Sequence, residues 1–171
     1  MEVRVLSNPP VKINIYESSN GPAPDILPPC LHSKWGTGRF HDVIITTPRL
    51  VLDGVEKDGF GKGIEGYYFK MYRVEDYSED ILKKFSEIGS LRLHPNGEVE
   101  YYVSKYEGNG YATEAVEAVK AFMLEKGVSP TLRIEKTNIR SQRVAKKTKF
   151  TPVAELPAIE NFGEAYRYEL Q

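Results

Sequence analysis

KYEGNGYATEAV, Lys105 to Val116, places glycines where a strand signal ends and an amphipathic helix signal begins. Gly108 and Gly110 can adopt positive φ and carry no side chain to block a ligand, so successive backbone N–H groups can converge on an anion. The helix that follows adds the positive end of its dipole. That helix is predicted over Tyr111 to Lys126: Ala112, Ala115, Val116, Val119, Phe122 and Met123 form an apolar stripe opposite Glu114, Glu117, Lys120 and Glu125, and Gly127 closes it. A second block, KTNIRSQRVAKKTKF, Lys136 to Phe150, lies one helix and one strand downstream.

Working outward, Ser90 to Leu93 and Glu98 to Ser104 read as strands joined by a tight HPNG turn. Thr131 to Glu135 reads as a strand, Ser141 to Lys149 as a helix with Ser141 near its start, and Tyr166 to Leu170 as a terminal, edge-like strand. In the N-terminal part, Val3 to Leu6 and Val11 to Tyr16 are short strands, and Val43 to Leu52 is a strand that Pro48 bulges or divides. Gly61, Gly63 and Gly66 match GxGxxG, but the dinucleotide fingerprint needs a helix to open on those glycines. Tyr67 to Val74 alternates like a strand instead, so a glycine-rich loop is expected there. Asp80 to Ile88 carries a short helical stripe that Gly89 would end.

The 171 residues, 40% of them hydrophobic, suit one domain with one core. A formal net charge of -1 gives no whole-chain case for nucleic acid or an anionic membrane. The single cysteine, Cys30, excludes an intrachain disulfide framework and makes a reducing, cytoplasmic setting the default; no zinc-ligand spacing accompanies it, so no metal is expected. Prolines and charges interrupt the first residues where a signal peptide needs an apolar core, and no apolar run is long enough to span a bilayer.

Taken together, Glu98 to Phe150 resemble the core of the GNAT superfamily of N-acetyltransferases, most closely the branch of ribosomal-protein N-terminal acetyltransferases. Lys105, Gly108 and Gly110 fill the places of the family's Gln/Arg-x-x-Gly-x-Gly/Ala loop, followed by the branch's Gly-Tyr-Ala-Thr-Glu-Ala as Gly110 to Ala115. Asn138, Ser141, Val144 and Phe150 match the branch's second block, and TPRLVL, Thr47 to Leu52, echoes its opening strand. Lys105 stands where Gln or Arg is usual, Lys149 where a glycine precedes Phe150, and the region before Glu75 lacks the usual pair of long helices on the acceptor side.

The resemblance implies an α/β fold, a mixed twisted sheet split at the acyl-CoA site with helices on both faces. One GNAT-like domain would cover 1–171, with an atypical N-terminal part (1–75) and the cofactor core at about 90–150. It implies acetyl-CoA as co-substrate and a primary amine as acceptor, attacking directly in a ternary complex. Pantetheine would lie along Tyr102, Val103 and Ser104, with a backbone N–H near Tyr102 or Val103 polarising the thioester carbonyl. The pyrophosphate would meet the N–H groups of Lys105 to Tyr111, Gly108, Asn109 and Gly110 above all, with Ala112 in the first helical turn. The 3′-phosphate would take Arg143, Lys146 or Lys147.

The general base would be Glu98 or Glu100, which share one strand face with Tyr102 and Ser104; Glu98 matches the family position and comes first. Ala145 stands where many members carry a proton-donating tyrosine, and Ser141 is the branch's substitute. Ser141 as a helix cap, Asn138 as a pantetheine ligand and Asn138 in a plain Asx turn all stay open. An α-amine, with pKa near ~8, loses its proton at about 1–1.5 kcal/mol at neutral pH against about 4–5 for a lysine amine, which favours an N-terminus or small α-amine as acceptor. The alternatives are a degenerate acyl-CoA-binding sensor and an RNA-associated module using the basic run Arg133, Lys136, Arg140, Arg143, Lys146, Lys147 and Lys149. Pairing of two copies through Tyr166 to Leu170 would give a homodimer.

Overall fold

Pro48 divides the expected Val43–Leu52 strand into β3 (Val43–Thr46) and β4 (Leu50–Glu56). The turn between them closes with Thr47 N–H donating to the Leu50 carbonyl at 3.0 Å and Leu50 N–H donating to Thr47 Oγ1 at 2.9 Å. The computed structural model describes residues 4–8, 11–17, 43–56, 66–76 and 87–171. Before these two strands come β1 (Arg4–Asn8) and β2 (Val11–Glu17); after them come β5 (Tyr67–Arg73), β6 (Gly89–Leu93) and β7 (Val99–Val103). The remaining elements are α1 (Tyr111–Glu125), β8 (Thr131–Glu135), α2 (Ile139–Lys147), β9 (Phe150–Leu156) and β10 (Ala165–Leu170).

β5 is a strand directly after Gly66, as the rejection of a dinucleotide motif required; Gly61 and Gly63 lie outside the described residues. Most of the expected Asp80–Ile88 helix also lies outside them, and the part that is described overturns its end. Ile88 is buried against the sheet and Gly89 is the first residue of β6, paired with Met71 and Val103. A glycine is required there by close approach, because a Cβ would meet the Tyr102 carbonyl oxygen at 2.2 Å. The HPNG turn forms as read, with Gly97 at φ 91° donating to the His94 carbonyl at 2.9 Å.

β1 to β7 form a seven-stranded antiparallel meander in chain order, and β8, β10 and β9 form a second, three-stranded sheet in that order. They meet at one parallel bridge, Glu98 with Thr131, beside Thr131 N–H donating to the Gly97 carbonyl at 2.8 Å. Beyond that bridge β7 stays with β6 and β8 stays with β10, so the sheet is split. α1 closes one face of the meander: Ala115, Val116, Val119 and Phe122 join one core with Ile15, Ile45, Leu52, Phe69, Met71 and Leu91. Phe122 meets Tyr67 and Phe69 edge-on at centroid distances of 5.2 and 6.0 Å, a favourable ring geometry. The opposite face is buried too, at Tyr16, Ile44, Val51 and Tyr72.

α1 ends in a Schellman arrangement, with Val128 N–H donating to the Met123 carbonyl, Gly127 N–H to that of Leu124, and Gly127 at φ 75°. α2 packs on β8 and β9. β10 is central in its sheet, flanked on both sides, which corrects its expected edge position; β9 is the outer strand and was not anticipated. The dimer contact through Tyr166–Leu170 therefore has no free strand edge to use.

Candidate functional site

At the end of β7, Ser104 and Lys105 N–H groups both donate to the Ile88 carbonyl, at 2.8 and 3.3 Å, holding the chain on β6 before it turns into the glycine loop. The loop then uses three left-handed residues, Tyr106 at φ 58°, Gly108 at 83° and Gly110 at 82°. Tyr106 is a costly residue for that conformation; its ring is held by Tyr111 edge-on and by the Arg73 guanidinium 4.2 Å from its centroid. Nothing lies within 4 Å of a Cβ built on Gly108, so the approach there is open. Gly110 is the N-cap of α1, and no side chain caps that end.

Among the described residues, the N–H groups of Gly108, Gly110, Tyr111, Ala112 and Thr113 therefore have no acceptor. Asn109 differs from the expectation, because its N–H donates within the loop to the Tyr106 carbonyl at 3.4 Å.

Strand alternation narrows the edge expected to take pantetheine. Ser104 N–H goes to Ile88 and His94 N–H to the Glu98 carbonyl, so residues 98, 100, 102 and 104 turn their backbone groups to β6. Val99, Tyr101 and Val103 turn theirs to the split. Of the expected trio Tyr102, Val103 and Ser104, only Val103 presents backbone groups there, and the Ser104 hydroxyl also donates to Ile88, at 3.2 Å. Tyr102 is 65% exposed on the other face, alongside Glu98 and Glu100 as anticipated. Glu100 sits between Arg92 Nη1 at 3.4 Å and His94 Nε2 at 3.1 Å, the latter close but not aligned as a hydrogen bond. Glu98 makes no ion pair with a described residue and is half-buried at the bridge to Thr131.

Tyr101, which the sequence did not single out, spans the split: its hydroxyl donates to the Ser141 carbonyl at 3.4 Å. Burial raises its pKa above the usual phenol value, against a lowering by the Ser141 hydrogen bond, and Tyr168 adds to the rise.

Asn138 is the N-cap of α2, its side chain accepting the Ser141 N–H at 3.0 Å. This corrects the capping role considered for Ser141, which lies inside the first turn with its hydroxyl making no hydrogen bond to a described residue. Ala145 is fully buried. Lys149 keeps the left-handed turn of the glycine it replaces, at φ 66°. Arg143 and Lys146 line a groove of about 430 Å³ with Ile139, Gln142, Phe150 and Tyr168, while Lys147 and Lys105 are exposed.

Two members of the basic run are paired with acids. Lys136 pairs with Glu155 at 2.7 Å and Glu164 at 3.3 Å, Arg140 reaches across to Glu107 of the glycine loop, and Arg133 stacks on Phe162.

Glu114, expected on the solvent side of α1, is only 7% exposed. It accepts from Thr47 Oγ1 at 2.5 Å, Arg49 N–H at 3.2 Å and Arg49 Nε at 2.7 Å, with Arg49 Nη2 at 2.6 Å. Its partners come from 65 and 67 residues upstream, a separation that helical periodicity cannot reveal.

No three His, Cys, Asp or Glu side chains cluster as metal ligands among the described residues, and no described helix is long and apolar enough to cross a membrane.

A family model described as an acetyltransferase (GNAT) domain matches residues 57–151. No curated protein matches the chain. Among solved structures, it is similar to an acetyltransferase (GNAT family) from Bacillus anthracis at 19% identity and TM-score 0.47, covering 59% of this chain and 63% of that one. It is similar to the microcin C7 self-immunity acetyltransferase MccE, solved with acetyl-CoA and AMP, at 18% identity and TM-score 0.47, covering 59% and 58%. A putative acetyltransferase from Sphaerobacter thermophilus DSM 20745 matches at 13% identity and TM-score 0.50 over 77% of this chain and 96% of that one. The chain thus spans less than two thirds of the first two structures. At these identities the likeness is one of fold.

Proposed function

Because this chain belongs to the GNAT acetyltransferase family, we propose that it transfers an acetyl group from acetyl-CoA to a primary amine, a protein N-terminus or a small-molecule amine, by direct attack in a ternary complex. The observation that carries this reading is the run of N–H groups at Gly108, Gly110 and Tyr111–Thr113 that find no acceptor among the described residues, set at the mouth of a split between β7 and β8. Such donors at a helix start, with no capping side chain, fit a pyrophosphate. The chain would work as one domain, and the lower cost of deprotonating an α-amine favours it over a lysine side chain as acceptor.

Acetyl-CoA would supply an activated acyl thioester. This chain's residues would hold it: Lys105 to Ala112 at the phosphates, Val103 and Tyr101 along the split, Asn138 and Ser141 at the start of α2, and Arg143 or Lys147 toward the 3′-phosphate. Glu98 or Glu100 would take the amine's proton. Glu100 is committed to Arg92 and His94, whereas Glu98 has no cation among the described residues, so Glu98 stays first. The Ser141 hydroxyl and the Tyr101 phenol, whose pKa burial pushes further above its ordinary value, are proton-bearing groups beside the split.

One observation favours a second reading, a degenerate acyl-CoA-binding sensor: Ala145 occupies the place of the usual proton-donating tyrosine and is sealed in the core. Isothermal titration with acetyl-CoA and dephospho-CoA, followed by turnover against a panel of N-terminal peptides and small amines, separates the two. Binding with turnover supports the transferase, binding without turnover the sensor, and no binding of either nucleotide defeats both.

A further inference from the structure

Two stretches read separately in the sequence, TPRLVL and GYATEA, meet in the structure as one device. We propose that Arg49, carried in by the β3–β4 turn, is a positioning residue for the anion-binding loop; this rests on the reading of that loop given above. Arg49 Nη1 donates to the Asn109 carbonyl at 3.0 Å, and its guanidinium lies 4.8 Å from the centroid of Tyr111. In a planar trans peptide the carbonyl of Asn109 and the N–H of Gly110 point in opposite directions. Holding that carbonyl therefore aims the Gly110 N–H away from Arg49, to the side where an anion would sit.

The same guanidinium solves an electrostatic problem. Glu114 places a buried carboxylate in the first turn of α1, where it competes with any incoming anion for the positive end of the helix. Pairing through Nε and Nη2 neutralises it, and only a planar fork can serve Glu114 with one edge and Asn109 with the other. The turn that bears Arg49 is itself fixed, by the Thr47–Leu50 closure, by Thr47 Oγ1 on Glu114 and by Val74 N–H donating to the Arg49 carbonyl at 2.9 Å. Arg49 Nη2 also lies 3.5 Å from the Cβ position of Gly110, within ordinary van der Waals contact, so the guanidinium packs directly against that loop residue.

Two variants test this. Arg49→Lys keeps a cation for Glu114 but cannot hold Asn109 at the same time. The double variant Arg49→Met/Glu114→Gln removes both charges, so no buried carboxylate is left unpaired to unfold the chain. Backbone order parameters of residues 107–111 without ligand, the calorimetric Kd for acetyl-CoA and the melting temperature are measured for both. The expected result is a more mobile loop and a Kd weaker by about tenfold or more, from the loss of a charge-assisted tether. KM for acetyl-CoA should rise by the same factor, with kcat changing less.

Wild-type order parameters and Kd in the folded variants overturn the proposal, even if the melting temperature falls, because a purely structural role would move only that. Wild-type protein that binds no acetyl-CoA defeats the transferase reading separately, while the ligand-free order parameters still decide the role of Arg49.

Discussion

Replacing Gly89 with alanine links the sheet's packing to the split most directly. The added Cβ would meet the Tyr102 carbonyl oxygen at 2.2 Å, the Tyr102 carbonyl carbon at 3.2 Å and the Val103 Cα at 3.1 Å. Since real Cβ contacts do not fall under 3.0 Å, β7 must move by about 1 Å, and every obstructing atom is backbone rather than a side chain that could swing aside. Gly89 is buried and pairs with both Met71 and Val103, so the strain cannot escape into solvent. Overpacking of this kind costs about 1–3 kcal/mol, a fall in melting temperature of roughly 2–10 °C for a chain of this length.

The displaced segment includes Val103, which turns its backbone to the split, and it leads into the glycine loop. A 1 Å error in a positioning element can cost about 100-fold in rate. Thermal melts and acetyl-transfer kinetics on Gly89→Ala should therefore show modest destabilisation and a much larger loss of kcat/KM. Stability within about 0.5 kcal/mol of wild type, together with unchanged kinetics, would refute the argument that this glycine sets the position of β7.

Four further outcomes are expected. Lys149→Gly should raise stability to urea by about 1 kcal/mol, since φ 66° strains lysine and suits glycine. Asn138→Ala should cost about 1 kcal/mol by uncapping α2, whereas Ser141→Ala should leave stability within about 0.5 kcal/mol and lower turnover if its hydroxyl moves a proton. Glu98→Gln should lower turnover more than Glu100→Gln, measured at saturating acetyl-CoA; equal and full activity in both would remove the carboxylate base.

Burial raises the phenol pKa of Tyr72, aided by Asp53 and Glu87, and of Tyr101 above the ordinary 10.0. The neutral phenol is thus favoured in the folded state, so their contribution is complete below about pH 10 and lost as pH climbs through the folded values. Urea midpoints flat to pH 10 and falling above it, with Tyr72 and Tyr101 among the tyrosines that ionise late by absorbance, would bear this out.

The elements legible in the sequence were those whose information is local. α1 declares itself by periodicity, Gly97 and Gly127 by turn chemistry, and β8 by a run of alternating residues, and each lies within a residue or so of its expected place. β9 escaped notice because an outer strand with Pro152 and four successive exposed positions has neither alternation nor a full set of donors. The role of Ser141 shifted by three positions because Asn138 caps just as well, and sequence does not rank one cap above the other.

At the site, the left-handed glycines could be read, but the direction of each N–H could not. Whether Tyr102 or Val103 faces the split depends on the parity of pairing with β6, and Asn109 is turned inward by Tyr106. The burial of Glu114 rests on a partner 65 residues away. Such contacts are set by the fold as a whole.

The single bridge between Glu98 and Thr131 bears on the order of assembly. Within the larger sheet every strand pairs with its immediate neighbours in sequence, and α1 packs onto those strands. The strand pairings close loops between sequence neighbours at small entropic cost, so they favour early formation as the chain emerges in synthesis. The smaller sheet must then dock through α1, α2 and one bridge. One wall of the cleft, with its glycine loop, would be in place before the other arrives, and the cleft itself would be completed last, by the segment from Thr131 onward.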